Sequence, residues 1–279
     1  MKHFFNTLDK RKVFLLSFFM AFLCLLPFLI RDGFFFLYYG DYNMQQLPFY
    51  TLVHRAVRNG ELFLNLTTDL GSSIYSSYSF YLLGSPFFWI TIPFPEAALP
   101  YLMPFLLMLK LGLSSVTAFH YLKRHTTDTR SACIGALLYT FSGFQTMNLV
   151  FNHFLDVAVF FPLYLVCLEQ LAEEGKRLRF ALCTALMAII NYYFFFGEVV
   201  FLILYTLIKY TLPLKKQLKV LISFSKRTCA SLFYKCLNLL NGQTIPEHGD
   251  FRLMSRQLSL AANGITSLSI RPLHMIAGF

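Results

Sequence analysis

An aspartate, Asp41, stands in Gly40-Asp41-Tyr42-Asn43, shortly after an uncharged apolar run from Val13 to Ile30. Gly40 permits close backbone approach, and Tyr42 and Asn43 can donate hydrogen bonds. A carboxylate at the mouth of a membrane bundle can take a proton from a hydroxyl acceptor, a role that partial burial favours by raising the pKa. The same position suits a helix-capping or turn aspartate. Asp69, in Thr67-Thr68-Asp69-Leu70-Gly71, is a second acid of the same region. The two could divide the roles of base and orienting group, or share a divalent cation. Glu61 is a third, weaker candidate.

Three further residues are candidates for binding, and one of them carries charge where it is costly. Lys110 lies midway in the apolar stretch Tyr101 to Gly112. A lysine at the centre of a membrane span costs about 2.5–3.5 kcal/mol, so it should face a partner, a cavity or an anion. Contact with a phosphate is one solution; pairing with Glu198 or Asp156, or snorkelling, is the other. His153 and Asp156 share one face of a helix beginning near Asn152. They can bind a phosphate or sugar hydroxyl, or simply form a capped helix start.

These residues need a membrane scaffold. The 279-residue chain is 56% hydrophobic and 14% charged, against about a quarter charged in soluble domains, which excludes an ordinary soluble protein. Val13 to Ile30 would cover roughly 27 Å as a helix, enough to cross a bilayer. Further spans are expected from about Ala97 to Leu122, Ser131 to Val150 and Val157 to Leu171. Phe180 to Tyr210 is too long for one span and reads as two short helices turning near Tyr192 to Gly197. Lys and Arg collect at the ends predicted to be cytoplasmic, Lys10 to Lys12, Lys123, Arg124, Arg130, Lys176, Arg177 and Arg179 among them, whereas Arg31, Arg55 and Arg58 fall outside. That asymmetry places the N-terminus in the cytoplasm. Gln46 to Asn59 alternates apolar and basic positions like a helix lying on a membrane surface, with Pro48 in its first turn.

The expected architecture is all-α: a polytopic transmembrane helix bundle of about six spans over 13–210, with an outer loop 31–96 and a cytoplasmic N-terminus 1–12. The tail 211–279 differs, with 9 Lys+Arg against 2 Asp+Glu and 4 phenylalanines of the chain's 33. It reads as a basic surface helix or as truncated or out-of-frame sequence. Its charge suits lipid headgroups, and no basic–aromatic stripe suggests nucleic acid. The six cysteines form no close pair and read as small buried hydrophobes.

In order along the chain, GDYNMQQLPFY (Gly40–Tyr50), TDLGSSIYSSYSFYLLGSPFFWITIPFP (Thr68–Pro95), LLMLKLGLSSVTAFHYLKR (Leu106–Arg124), GALLYTFSGF (Gly135–Phe144), NHFLDVAVFFPLYLVCLEQL (Asn152–Leu171) and NYYFFFGEVVFLILYTLIKY (Asn191–Tyr210) resemble the N-terminal part of the bacterial YfhO family of multispan membrane proteins. The likeness covers roughly residues 10–211, and family members are much longer. It implies a fold similar to the multispan C-type glycosyltransferases, which use polyprenyl-phosphate sugars on the outer face of the cell membrane. Their first outer loop carries an acidic motif that maps onto Asp41. The implied activity is sugar transfer to a cell-surface polymer such as lipoteichoic acid. Asp41 would be the base, Lys110 and His153 would neutralise donor phosphate, and Asp69 would orient a sugar or a divalent cation. Tyr42, Asn43 and Asp156 would complete substrate binding. The implied partners are membrane lipid, the polyprenyl-phosphate sugar and the polymer acceptor, with no nucleic acid. Two other readings stand beside it: a transporter or flippase of lipid-linked sugars with Lys110 and Glu198 lining a path, and an inactive truncated fragment.

Overall fold

The computed structural model describes residues 9–36, 38, 40–66, 68 and 71–211. Asp69 and the tail from 212 onward, with the readings made of them, lie outside the described residues. The chain divides into two units, Met1–Thr206 and Leu207–Phe279. Of the second, only a π-helical turn, Leu207–Thr211, is described, in which the Lys209 ammonium stands 5.5 Å from the Tyr210 ring centre.

Helix α1 (Lys10–Arg31) starts where the Asp9 carboxylate accepts the Lys12 N–H at 3.0 Å and continues through the apolar run. Helix α5 (Leu99–Leu122) packs antiparallel to it: the Ser115 hydroxyl meets the Val13 carbonyl, and the Phe14 ring covers Gly112. A Cβ at Gly112 would come within 2.7 Å of that ring, so glycine sets how closely the two helices approach. Helix α6 (Thr129–Thr140) returns along α5, burying Ala132, Cys133 and Ala136 against Ala118 and Phe119. The short α7 (Gly143–Met147) follows.

Helix α8 (Asn152–Glu174) runs parallel to α5, with Lys110 against Asn152, Thr117 donating to the Val159 carbonyl at 2.7 Å, and Arg124 against Glu169. Helix α9 (Arg177–Ile190) comes back along α8, stacking Phe180 on Tyr164. Helix α10 (Tyr192–Thr206) again follows α8, pairing Phe194 with Phe154 and Phe201 with Phe161.

Six helices therefore alternate in direction. Four stretches are long and apolar enough to cross a membrane: Lys10–Arg31, Glu96–Leu122, Asn152–Glu174 and Tyr192–Tyr210. The other two expected spans are shorter. Helix α6 has 12 residues and α9 has 14, about 18 and 21 Å against a hydrocarbon core of about 30 Å. The α9–α10 break falls at Asn191, slightly earlier than expected, because its side chain accepts the Phe194 N–H at 3.2 Å and caps α10. Cys133, Cys167 and Cys183 are buried, as their type suggests, and Cys24 is exposed.

The segment between α1 and α5 folds over one end of this bundle. Helix α2 (Leu47–Asn59) has Pro48 in its first turn and ends at Gly60, whose φ of 76° is natural for glycine. It buries Tyr50, Val53, His54 and Ala56. Its other face holds Arg55, paired with Glu96, and Arg58, which donates to the Phe94 carbonyl at 3.1 Å. The short helices α3 (Ile74–Tyr78) and α4 (Pro86–Trp89) complete the cover. At Gly84 the backbone lies so close to α9 that a Cβ would stand 1.8 Å from the Ile189 carbonyl oxygen. Only glycine seats the cover there.

Candidate functional site

Polar residues collect beneath this cover. The Lys110 side chain is fully buried and its ammonium lies 2.5 Å from Asp156 Oδ1. It also donates to the Asn152 carbonyl at 2.9 Å and to Asn152 Oδ1 at 2.6 Å. The ring of Phe87 is 5.1 Å away. Two of its N–H donors meet the Asn152 oxygens, and Asp156 supplies the opposite charge. Of the alternatives for Lys110, pairing with Asp156 is the one observed. Glu198 is not its partner.

The network continues toward the cover. Asn152 Nδ2 donates to the Tyr50 hydroxyl at 3.2 Å, and the Ser85 hydroxyl pairs with Asp156. Burial pushes the Tyr50 phenol well above its ordinary range, with the nearby Asp156 charge acting in the same sense. It stays a neutral hydroxyl that orients Asn152. His153 Nδ1 stands 3.3 Å from Gln46 Oε1, and its ring packs on Tyr81 at 4.6 Å. Gln46 and Tyr81 each belong to a π-helical turn, Tyr42–Gln46 and Ser79–Leu83. Such turns are rare and concentrate at functional sites.

Asp41 opens the first of these turns and is half-buried. Its side chain makes no hydrogen bond or ion pair among the described residues. Gly40, at φ 55°, lies against Val150, so the turn rests on the approach to α8. Tyr42 is fully buried, edge-on to Phe36 at 5.2 Å, and its hydroxyl has no partner among the described residues. Burial raises its pKa strongly. Gln46 Nε2 is likewise buried and unpartnered. Asn43 is committed elsewhere: its side chain donates to the Tyr38 carbonyl and accepts the Tyr38 N–H, both at 3.1 Å. Asn43, expected as a substrate ligand, here clamps the backbone before Asp41, because an amide matches one peptide N–H and C=O at once.

The structure thus brings Lys110, His153 and Asp156 together and sets Asp41 on the turn that ends at Gln46. Gln46, Tyr50, Ser85 and Asn152 complete the centre and escaped the sequence reading. Tyr42, Gln46 and Tyr50 recur every four residues and are all buried, a polar stripe visible as spacing alone. Among the described residues, no cluster of His, Cys, Asp or Glu could hold a metal ion.

The fold and this centre define a polytopic helical membrane protein with a covered polar core at one end. The family model of the bacterial membrane protein YfhO matches residues 13–241, so the chain belongs to that family. The match runs past Thr211, beyond the motifs in which the likeness was recognised. The chain is 25% identical over 198 residues to the uncharacterized protein YfhO of Bacillus subtilis (strain 168), an alignment covering 63% of this chain and 22% of that protein. The chain thus matches less than a quarter of that relative's length. No solved structure matches.

Proposed function

We propose that the chain is the membrane portion of a sugar transferase that moves a sugar from a polyprenyl-phosphate donor to a cell-surface polymer such as lipoteichoic acid, with its Asp41 end outside the cell and its N-terminus in the cytoplasm. The observation that supports this most is Asp41 itself. Among the described acids, only Asp41 and Glu198 lack a partner, and of the two only Asp41 reaches solvent. An unpaired, half-buried carboxylate at the rim of a bundle suits a general base.

In this reading Asp41 accepts the proton of the acceptor hydroxyl. The acceptor oxygen bonds to the anomeric carbon, the bond from that carbon to the phosphate oxygen breaks, and the lipid phosphate departs with the electron pair. Tyr42 and Gln46 offer hydrogen to a sugar or phosphate oxygen once the cover loosens. His153 orients Gln46. Lys110 and Asp156 serve as positioning residues, holding Asn152 and through it Tyr50 on α2. Asp69 keeps its expected role of orienting a sugar or a divalent cation.

The test is Asp41→Asn in the full-length protein, with sugar on the wall polymer measured at equal protein level. Loss of a general base predicts a fall of about 10²–10⁴-fold in transfer. Unchanged decoration would remove Asp41 from the reaction.

A further inference from the structure

Glu198 is the other unpartnered acid. It lies in α10 inside the apolar stretch Tyr192–Tyr210, is 7% exposed, and neither carboxyl oxygen has a hydrogen-bond partner among the described residues. Its place on the helix is defined by its neighbours. Phe194, one turn earlier, packs on Phe154; Phe201, one turn later, packs on Phe161; Leu202 is buried between α8 and α9. Glu198 therefore faces α8 between two aromatic contacts rather than lipid.

The titratable side chains facing Glu198 are Tyr139 of α6, Tyr164 of α8 and Cys183 of α9. The Tyr139 hydroxyl donates to the Ala158 carbonyl at 2.7 Å. Tyr164 pairs with Thr184, and Cys183 with Cys167. Neighbouring positions of α10 are glycine, aromatic or aliphatic residues. A bare carboxylate in such a seam is strongly disfavoured, and an ionisable group kept inside a span marks an ion or proton site.

We propose that Glu198 is a proton-binding site within the spanning bundle, taking up and releasing one hydrogen ion in the seam between α8, α9 and α10. This stands apart from sugar transfer, because it involves neither Asp41 nor the centre around Lys110.

The test treats native membranes holding the full-length protein with the apolar reagent dicyclohexylcarbodiimide and reads modified peptides by mass spectrometry. The acid's hydrogen passes to a carbodiimide nitrogen, its oxygen bonds to the central carbon, and the acyl group then shifts to nitrogen, with no atom lost. Expected is modification of Glu198 that falls at least about tenfold between about pH 6 and about pH 9 and is unaffected by Asp41→Asn. Glu198→Gln, a neutral mimic of the acid, should leave thermal stability unchanged. Three results would each overturn the proposal: no modification of Glu198 in membranes while unfolded protein is modified there, protection by sodium ions at constant pH, or marked destabilisation by Glu198→Gln.

Discussion

Helices α5 and α8 lie side by side and are pinned twice, and the two pins differ. At the end remote from Asp41, Glu169 accepts from Arg124 at 2.8 Å and from the Tyr205 hydroxyl at 2.7 Å, with His125 at 3.0 Å. Arg124 also reaches Glu173 and is 23% exposed. Its nitrogens and the Glu169 oxygens are well supplied, so this end is a brace. Beneath the cover, Lys110 and Asp156 are 0% and 2% exposed, and beside them Tyr42 and Gln46 keep unsatisfied donors. A brace saturates its groups. The centre beside Asp41 leaves the Tyr42 and Gln46 donors unsatisfied, as the proposed function requires.

The comparison makes graded predictions. The largest effect belongs to Asp156→Ala, which strands a buried ammonium and should cost about 3–5 kcal/mol, while Lys110→Met with Asp156→Leu should recover most of it. Denaturant titration in detergent micelles reads both; equal losses in the single and double variants would show that burial of charge is not what matters there. Next comes Glu169→Gln, which keeps the shape but removes a buried charge-assisted acceptor whose partner Arg124 is 23% exposed, an expected loss of about 2 kcal/mol. A loss matching Asp156→Ala would erase the distinction between the two pins.

The smallest effect should come from Asp128, the exposed cap of α6. Its hydrogen bonds from the Ser131 hydroxyl and N–H and the Arg130 N–H hold its carboxyl below the usual range. A folded value below the unfolded one means that the stabilisation is fully present above the unfolded pKa of about 4 and is lost as pH falls through the folded value. Asp128→Ala should therefore lower the melting temperature slightly at neutral pH, and the difference should vanish in acid. A difference that persists in acid would mean that something other than the charged cap is responsible.

How far the sequence carried the reading depends on the kind of signal. Apolar length disclosed α1, α5 and α8, and the basic clusters disclosed the alternation of helix direction. A lysine amid leucines announced that Lys110 needs a partner, and the i, i+3 spacing put His153 and Asp156 on one helix face. The choice of Asp156 over Glu198 was not legible, because it depends on α5 and α8 running parallel, a consequence of α6 returning between them. Gln46 was hidden for another reason. A π-helical turn departs from the 3.6-residue period on which helix reading relies, so a polar residue there looks like the solvent face of α2 although it is buried. Asn43 adds a second case: its clamp on the Tyr38 backbone depends on a loop conformation that no periodicity announces.

Everything assigned to Asp41 requires that its end of the bundle meet the extracellular side. With Asp41→Cys in the full-length protein, a membrane-impermeant maleimide applied to intact cells should add its mass to the peptide containing position 41. Modification only after the cells are permeabilised would put that end in the cytoplasm and contradict the assignment.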